Sequence, residues 1–140
     1  MTPAPPRHER IAHTAELALR LQADTPAELY AEACRALGTL LREEAGSVAA
    51  EDVVRTVAVD AVDADALLVD LLNELIYLAE TERWAPSVVQ AVDWTPTRIL
   101  LRLAGPRLRR SPSRIKSATH HGLALRRAGP RWEAEVIFDV

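Results

Sequence analysis

Ile115-Lys116-Ser117-Ala118-Thr119-His120-His121-Gly122 opens the stretch that decides the fold, and Glu135-Val136-Ile137-Phe138-Asp139-Val140 closes it. Between them lies a Gly129-Pro130 turn. Leu123 and Leu125 alternate before the turn, and Trp132, Ala134, Val136 and Phe138 alternate after it, which predicts two strands joined at the turn. One end of the stretch carries Lys116, Thr119 and two histidines; the other carries Asp139 and the terminal carboxylate of Val140. A segment this apolar is not the frayed polar tail with which most chains finish. An acid next to last on a buried strand calls for a reason, although terminal acids are also commonly just solvated.

Upstream of this stretch, Gly105 to Arg114 reads as a basic loop with two prolines, Pro106 and Pro112. Ile99, Leu101 and Leu103 alternate in a strand before it. Trp94-Thr95-Pro96-Thr97 reads as a turn, and Val88, Val89, Ala91 and Val92 as another strand. Further back, Leu67, Leu68, Leu71, Leu72, Leu75, Ile76, Leu78 and Ala79 form one stripe of a helix capped by Asp63. Asp70, Asn73, Glu74, Tyr77, Glu80 and Thr81 form its polar stripe. This segment reads as the most strongly amphipathic of the chain. Asp70 and Glu74 stand one turn apart, a spacing that can hold a metal and more commonly marks a wet helix face.

Val53, Val57 and Val59 predict a strand reaching about Val62. A first helix begins at Thr25, with Pro26 at its first position and Glu28 completing a capping box. Leu29, Ala33, Ala36, Leu37, Leu40 and Leu41 make its apolar face, and Gly46 ends the segment. Cys34 lies close to that face and reads as a small core residue, because no base is placed beside it locally. Leu17, Leu19 and Leu21 alternate with Ala18, Arg20 and Gln22 in a half-buried strand. His13 and Glu16 fall at or just before its start. Arg7 to Ile11 can begin another strand, and residues 1–6 read as a disordered, Pro-rich tail. Two amphipathic helices among six or seven strands predict an α+β fold, a single compact domain over 7–140 with mainly antiparallel sheet.

Composition narrows the function. The 140 residues hold one cysteine, so no internal disulfide or Cys-rich metal site is available. No apolar run is long enough to span a membrane and the start has no secretory core, so a cytoplasmic protein is expected. Up to Thr97 there are seven Lys/Arg against 17 Asp/Glu; from Arg98 onward there are ten against three. Such asymmetry suggests a surface that meets something negative. Arg107, Arg109, Arg110, Arg114 and Lys116 form its densest part. An RNA-binding module is one reading of that cluster; a solvated Arg-rich loop is the other, favoured because no aromatic residues are interleaved to stack on bases.

Phosphate-cradling Gly loops, nucleophile elbows and zinc patterns are absent. His120 and His121 are adjacent and, on a strand, point to opposite faces. Oxygen donors remain: Glu16, Asp139 and the terminal carboxylate of Val140 are hard ligands suited to Ca²⁺ or Mg²⁺. Sequence alone does not bring Glu16 to Asp139. A small metal-dependent hydrolase built on these acids is conceivable, although no general base or nucleophile stands out.

Four motifs resemble, in order, those of the archease family: His13-Thr14-Ala15-Glu16, Leu71-Leu72-Asn73-Glu74-Leu75-Ile76-Tyr77, Ile115-Lys116-Ser117-Ala118-Thr119, and Val136-Ile137-Phe138-Asp139-Val140. The resemblance runs from about Arg7 to Val140. It implies a small α+β accessory protein, not an enzyme, that activates the RNA-splicing ligase RtcB by speeding its guanylylation and turnover in tRNA splicing and RNA repair. RNA would be met indirectly, through the ligase. It also implies a divalent metal, calcium with magnesium or manganese as alternatives, held by Glu16, Asp139 and Val140. Lys116 would carry activation, with His13 and Thr119 of the same motifs beside it. Departures are visible. Glu16 stands where the family usually has Asp, while Ser117, Ala118 and His120 replace later members of the lysine motif. Gly105-Pro106-Arg107-Leu108 has lost an acid.

Overall fold

The computed structural model describes residues 4–12, 16–120 and 123–140. Eight strands and two helices are found among them, in the order β1 (Arg7–Ala12), β2 (Glu16–Ala23), α1 (Pro26–Ala45), β3 (Val48–Asp60), α2 (Ala64–Glu82), β4 (Val88–Thr95), β5 (Arg98–Leu108), β6 (Ser117–Thr119), β7 (Arg126–Ala128) and β8 (Arg131–Asp139). Every strand pairing is antiparallel. The α+β expectation, with two helices and mainly antiparallel sheet, is what the fold is.

The strands form two sheets. One has five strands in the order β1-β2-β8-β6, with β7 also on β8; the other has three, in the order β3-β5-β4. Each helix touches both sheets: α1 packs on β2 and β4, and α2 on β6, β3 and β5. The core lies between the two sheets and the two helices. Leu17, Leu19 and Leu21 of β2 and Ala134, Val136 and Phe138 of β8 are buried, while Arg20 between them is exposed. The period of two sends the leucine face inward, as the sequence predicts, while Ala18 and Ile137, paired on the opposite face, are buried as well.

Both helices start where their caps direct. The Thr25 hydroxyl accepts the Glu28 N–H at 3.2 Å, and Asp63 Oδ1 accepts the Ala66 N–H at 2.8 Å. Leu29, Ala33, Ala36, Leu37 and Leu41 are buried on α1, and Leu67, Leu68, Leu71, Leu72, Leu75, Ile76 and Ala79 on α2. The two faces are more sharply divided in α1 than in α2, the reverse of expectation, because α2 is the more apolar helix overall. Cys34 is fully buried, and burial pushes its thiol up to about 12, so it packs as a core residue.

Three expectations need correction. The supposed loop from Gly105 is strand as far as Leu108, because Val53 pairs with Gly105 and Asp52 with Pro106. Trp84 closes this pairing: its indole N–H lies 3.0 Å from the carbonyls of both Val53 and Gly105. A side chain at 105 is excluded, since a Cβ there would stand 1.9 Å from the Ala85 carbonyl oxygen. Second, β4 runs through Trp94 to Thr95, leaving only Pro96-Thr97 as the turn. Third, the strand before Gly129-Pro130 is two short pieces, β6 and β7, that pair with different parts of β8. This break, with β1, raises the strand count above six or seven. Within the tail read as 1–6, residues 4–6 are neither helix nor strand, and the Pro5 carbonyl accepts from Arg131 Nη2 at 2.8 Å.

Candidate functional site

Three strand ends meet at one end of the first sheet. β8 finishes at Asp139, and its two neighbours both begin there: the main chain of Glu16 in β2 is the register partner of Asp139 on one side, and Ser117 in β6 on the other. Sequence placed Glu16 and Asp139 at strand ends; the antiparallel topology puts those ends together. Leu17 opposite Phe138 and Ala118 opposite Phe138 are the next rung inward. All three of these side chains are buried, so the polar end is seated directly on the core.

The Lys116 N–H donates to the Asp139 carbonyl at 2.9 Å, and the Ser117 hydroxyl to Asp139 Oδ2 at 3.4 Å. The side chains of Lys116 and Asp139 are exposed, and so is Val140. Ile115 is buried beneath them and anchors the segment. The Thr119 hydroxyl donates to the Ile137 carbonyl at 3.2 Å, which ties β6 to β8. His120 is exposed, and its carbonyl accepts from Leu123 N–H. His13 lies outside the described residues, as does His121.

Asn73 stands on the polar stripe of α2 as read from sequence, but its role was missed. Its amide reaches from α2 to the outer edge of β6. Nδ2 donates to the Ala118 carbonyl at 3.1 Å, and Oδ1 accepts the Ala118 N–H at 2.7 Å. One side chain thus supplies both halves of a strand neighbour's bonding. A carboxylate could accept but not donate, so the amide is required. The signal was present: Asn73 is the one carboxamide on a stripe otherwise made of acids and hydroxyl groups.

Two of the five members of the basic cluster are tied to helix ends by their side chains. Arg107 Nη1 donates to the carbonyl of Glu82, the last residue of α2, at 3.4 Å, and Arg110 Nε to that of Ala45, the last residue of α1, at 3.0 Å. Cations at helix C-termini satisfy orphan carbonyls and offset the negative end of the helix dipole. Glu44 Oε1 accepts from the N–H groups of Ser113 and Arg114, the first at 3.1 Å, which fixes the path leading to Lys116.

Comparison with known proteins matches the arrangement to one family. Residues 8–140 match the model of the archease protein family. The chain belongs to the archease family. Protein archease of Methanosarcina acetivorans is 26% identical over 142 residues, covering 96% of each chain. That of Methanopyrus kandleri is 29% identical over 149 residues, covering 94% of this chain and 98% of its own. The crystal structure of an archease from Thermotoga maritima, described as a possible chaperone, superposes with a TM-score of 0.61 at 23% identity, covering 94% of this chain and 96% of its own. The solution structure of Methanobacterium thermoautotrophicum Protein 1598 gives 0.64 at 18% identity, covering 95% and 98%. Both share the fold. The family match spans the whole site described, from β1 to Val140. Among the described residues, no helix is long and apolar enough to cross a membrane.

Proposed function

We propose that this archease-type accessory protein activates the RNA-splicing ligase RtcB, promoting its guanylylation and multiple turnover in tRNA splicing and RNA repair in the cytoplasm. The observation that carries the reading is the convergence of Glu16, Lys116 and Ser117 on Asp139 at one exposed sheet end, in a chain that belongs to the archease family. An accessory role agrees with the description of the Thermotoga maritima protein as a possible chaperone.

The tip is held by its neighbours on both sides. Asp139 is held between two strands, and β6 is clamped in turn by Asn73. Charges on such elements are positioned more precisely than charges on loops. The Asp139 carboxylate and the Val140 carboxylate are hard oxygen donors, a set that fits calcium, magnesium or manganese. Among the described residues, no group of three or more His, Cys, Asp or Glu is placed to hold an ion. Asp139, Val140 and Glu16 would hold a metal together with water or with oxygens of the partner, since Ca²⁺ takes about 6–8 oxygen ligands. When bound, the ion would supply compact positive charge for phosphate oxygens. Lys116, exposed beside the acids, would pair with a phosphate. Thr119 acts at one remove, holding β6 in register through Ile137; His13 belongs to the same motif as Glu16 and is proposed to share in activation.

The test is ligase guanylylation with GTP and divalent metal, with this protein present at substoichiometric amounts. Multiple ligase turnovers that appear only on its addition are expected. No stimulation of a competent cognate ligase would overturn the reading. The RNA-binding alternative predicts RNA affinity with a steep salt dependence in the absence of ligase. Arg107 and Arg110 count against it, since both bond helix-end carbonyls. A metal-dependent hydrolase would show turnover by the isolated protein.

A further inference from the structure

An open groove of about 620 Å³ runs between the end of β3 and the polar stripe of α2. Ala58, Val59 and the ring of Tyr77 give it an apolar lining, and Asp60, Asp70 and Glu74 stand along it. Tyr77 is 57% exposed, an unusual position for a large ring on a helix that otherwise buries its apolar residues. Exposed aromatic surface set among charges is characteristic of protein contact sites.

Two further features indicate what would lie there. β3 is an edge strand: it pairs with β5 on one side, and no strand among the described residues pairs with its other edge. An unpaired edge is a ready template for an extended segment from another chain. The charge is also one-sided. Asp60 meets Arg98 Nε at 3.8 Å, whereas Asp70 and Glu74 make no ion pair among the described residues. That combination favours lysine or arginine side chains and repels phosphate, which excludes an RNA backbone as the occupant. The groove is tied to the strand that carries the tip, because Asn73 lines it and bonds Ala118 of β6.

We infer that this groove docks an extended, lysine- or arginine-bearing segment of the partner ligase, aligning it along β3 while the Asp139 tip engages elsewhere. The inference rests on the ligase reading proposed above and adds a second, separable contact to it. The groove contributes affinity, and the tip contributes activation.

The experiment measures the affinity of the full chain for the RtcB-type ligase and, separately, the guanylylation rate at saturating protein. In Asp70→Lys combined with Glu74→Lys, the dissociation constant should rise at least tenfold, with the saturating rate unchanged. Both positions lie on the outer stripe of α2, so the melting temperature should hold. In the wild-type complex, amides along Val54–Asp60 should gain protection from hydrogen exchange. Wild-type binding together with undiminished affinity of the double variant, or with no protection along β3, would overturn the groove alone. A wild-type protein that does not bind the ligase would overturn the functional reading and this inference with it.

Discussion

At the scale of single residues, the account turns on Asn73. Its carboxamide gives Ala118 the donor and the acceptor that a neighbouring strand would otherwise supply. Truncation leaves a partly buried peptide group unpaired, which costs about 1–3 kcal/mol. Asn73→Ala is expected to destabilise the protein by that order in denaturant unfolding, and to raise hydrogen exchange at Ala118 more than at β2 amides. Asn73→Asp should rescue only the N–H half. Glu133 sets a second expectation. A hydrogen bond from Arg126, helped by Gln22, holds its carboxyl below the usual 4.5. A carboxyl lowered in the folded state stabilises above its unfolded value, and that contribution is lost as pH falls through the folded value. Stability should therefore drop on acidification below about pH 4.5, and Glu133→Gln should flatten the drop in thermal melts taken across pH. Cys34 gives a third. A fully buried thiol raised to about 12 should resist thiol reagents in the native protein and react at once in denaturant.

At the scale of elements, the prolines and glycines carry the lesson. Gly105-Pro106 has the composition of a loop, and the strand through it is legible only from its neighbours. Asp52 pairs with Pro106 next to an irregularity in the β3–β5 register, so the missing proline N–H falls where the ladder is already interrupted. Gly105 is needed because the Ala85 carbonyl presses on it. Gly105→Ala should accordingly destabilise by about 1–3 kcal/mol, read as a lowered urea midpoint. Elements whose signals are local were legible in the sequence. Thr25-Pro26 and Asp63 start their helices as expected, and the leucines of β2 and the alternation of β8 face the core. Elements set by a remote partner were not. β6 is three residues long and exists because β8 and Asn73 border it. Nothing in Ser117-Ala118-Thr119 separates it from the strand read through to Leu125.

At the scale of the molecule, the charge asymmetry found in sequence resolves into two uses. Part of the basic C-terminal excess is spent at helix ends, where Arg107 and Arg110 bond the last carbonyls of the two helices, while Glu44 fixes the path toward Lys116. Part of the acidic excess is left along α2 and β3, facing outward at the groove. The candidate site was half legible. The residues at strand ends could be named from sequence, because an acid closing an apolar strand stands out. Their convergence could not, because β2 and β8 are paired across more than a hundred residues. The proposed ligase partner and the proposed metal both rest on the tip, which makes Asp139 the point at which the account is most exposed. The direct measurement is multiple-turnover ligase guanylylation with Asp139→Ala set against the wild-type protein, with melting temperatures recorded for both. The account predicts that the variant melts as the wild type does and no longer activates. Full activation by a folded Asp139→Ala protein would contradict it.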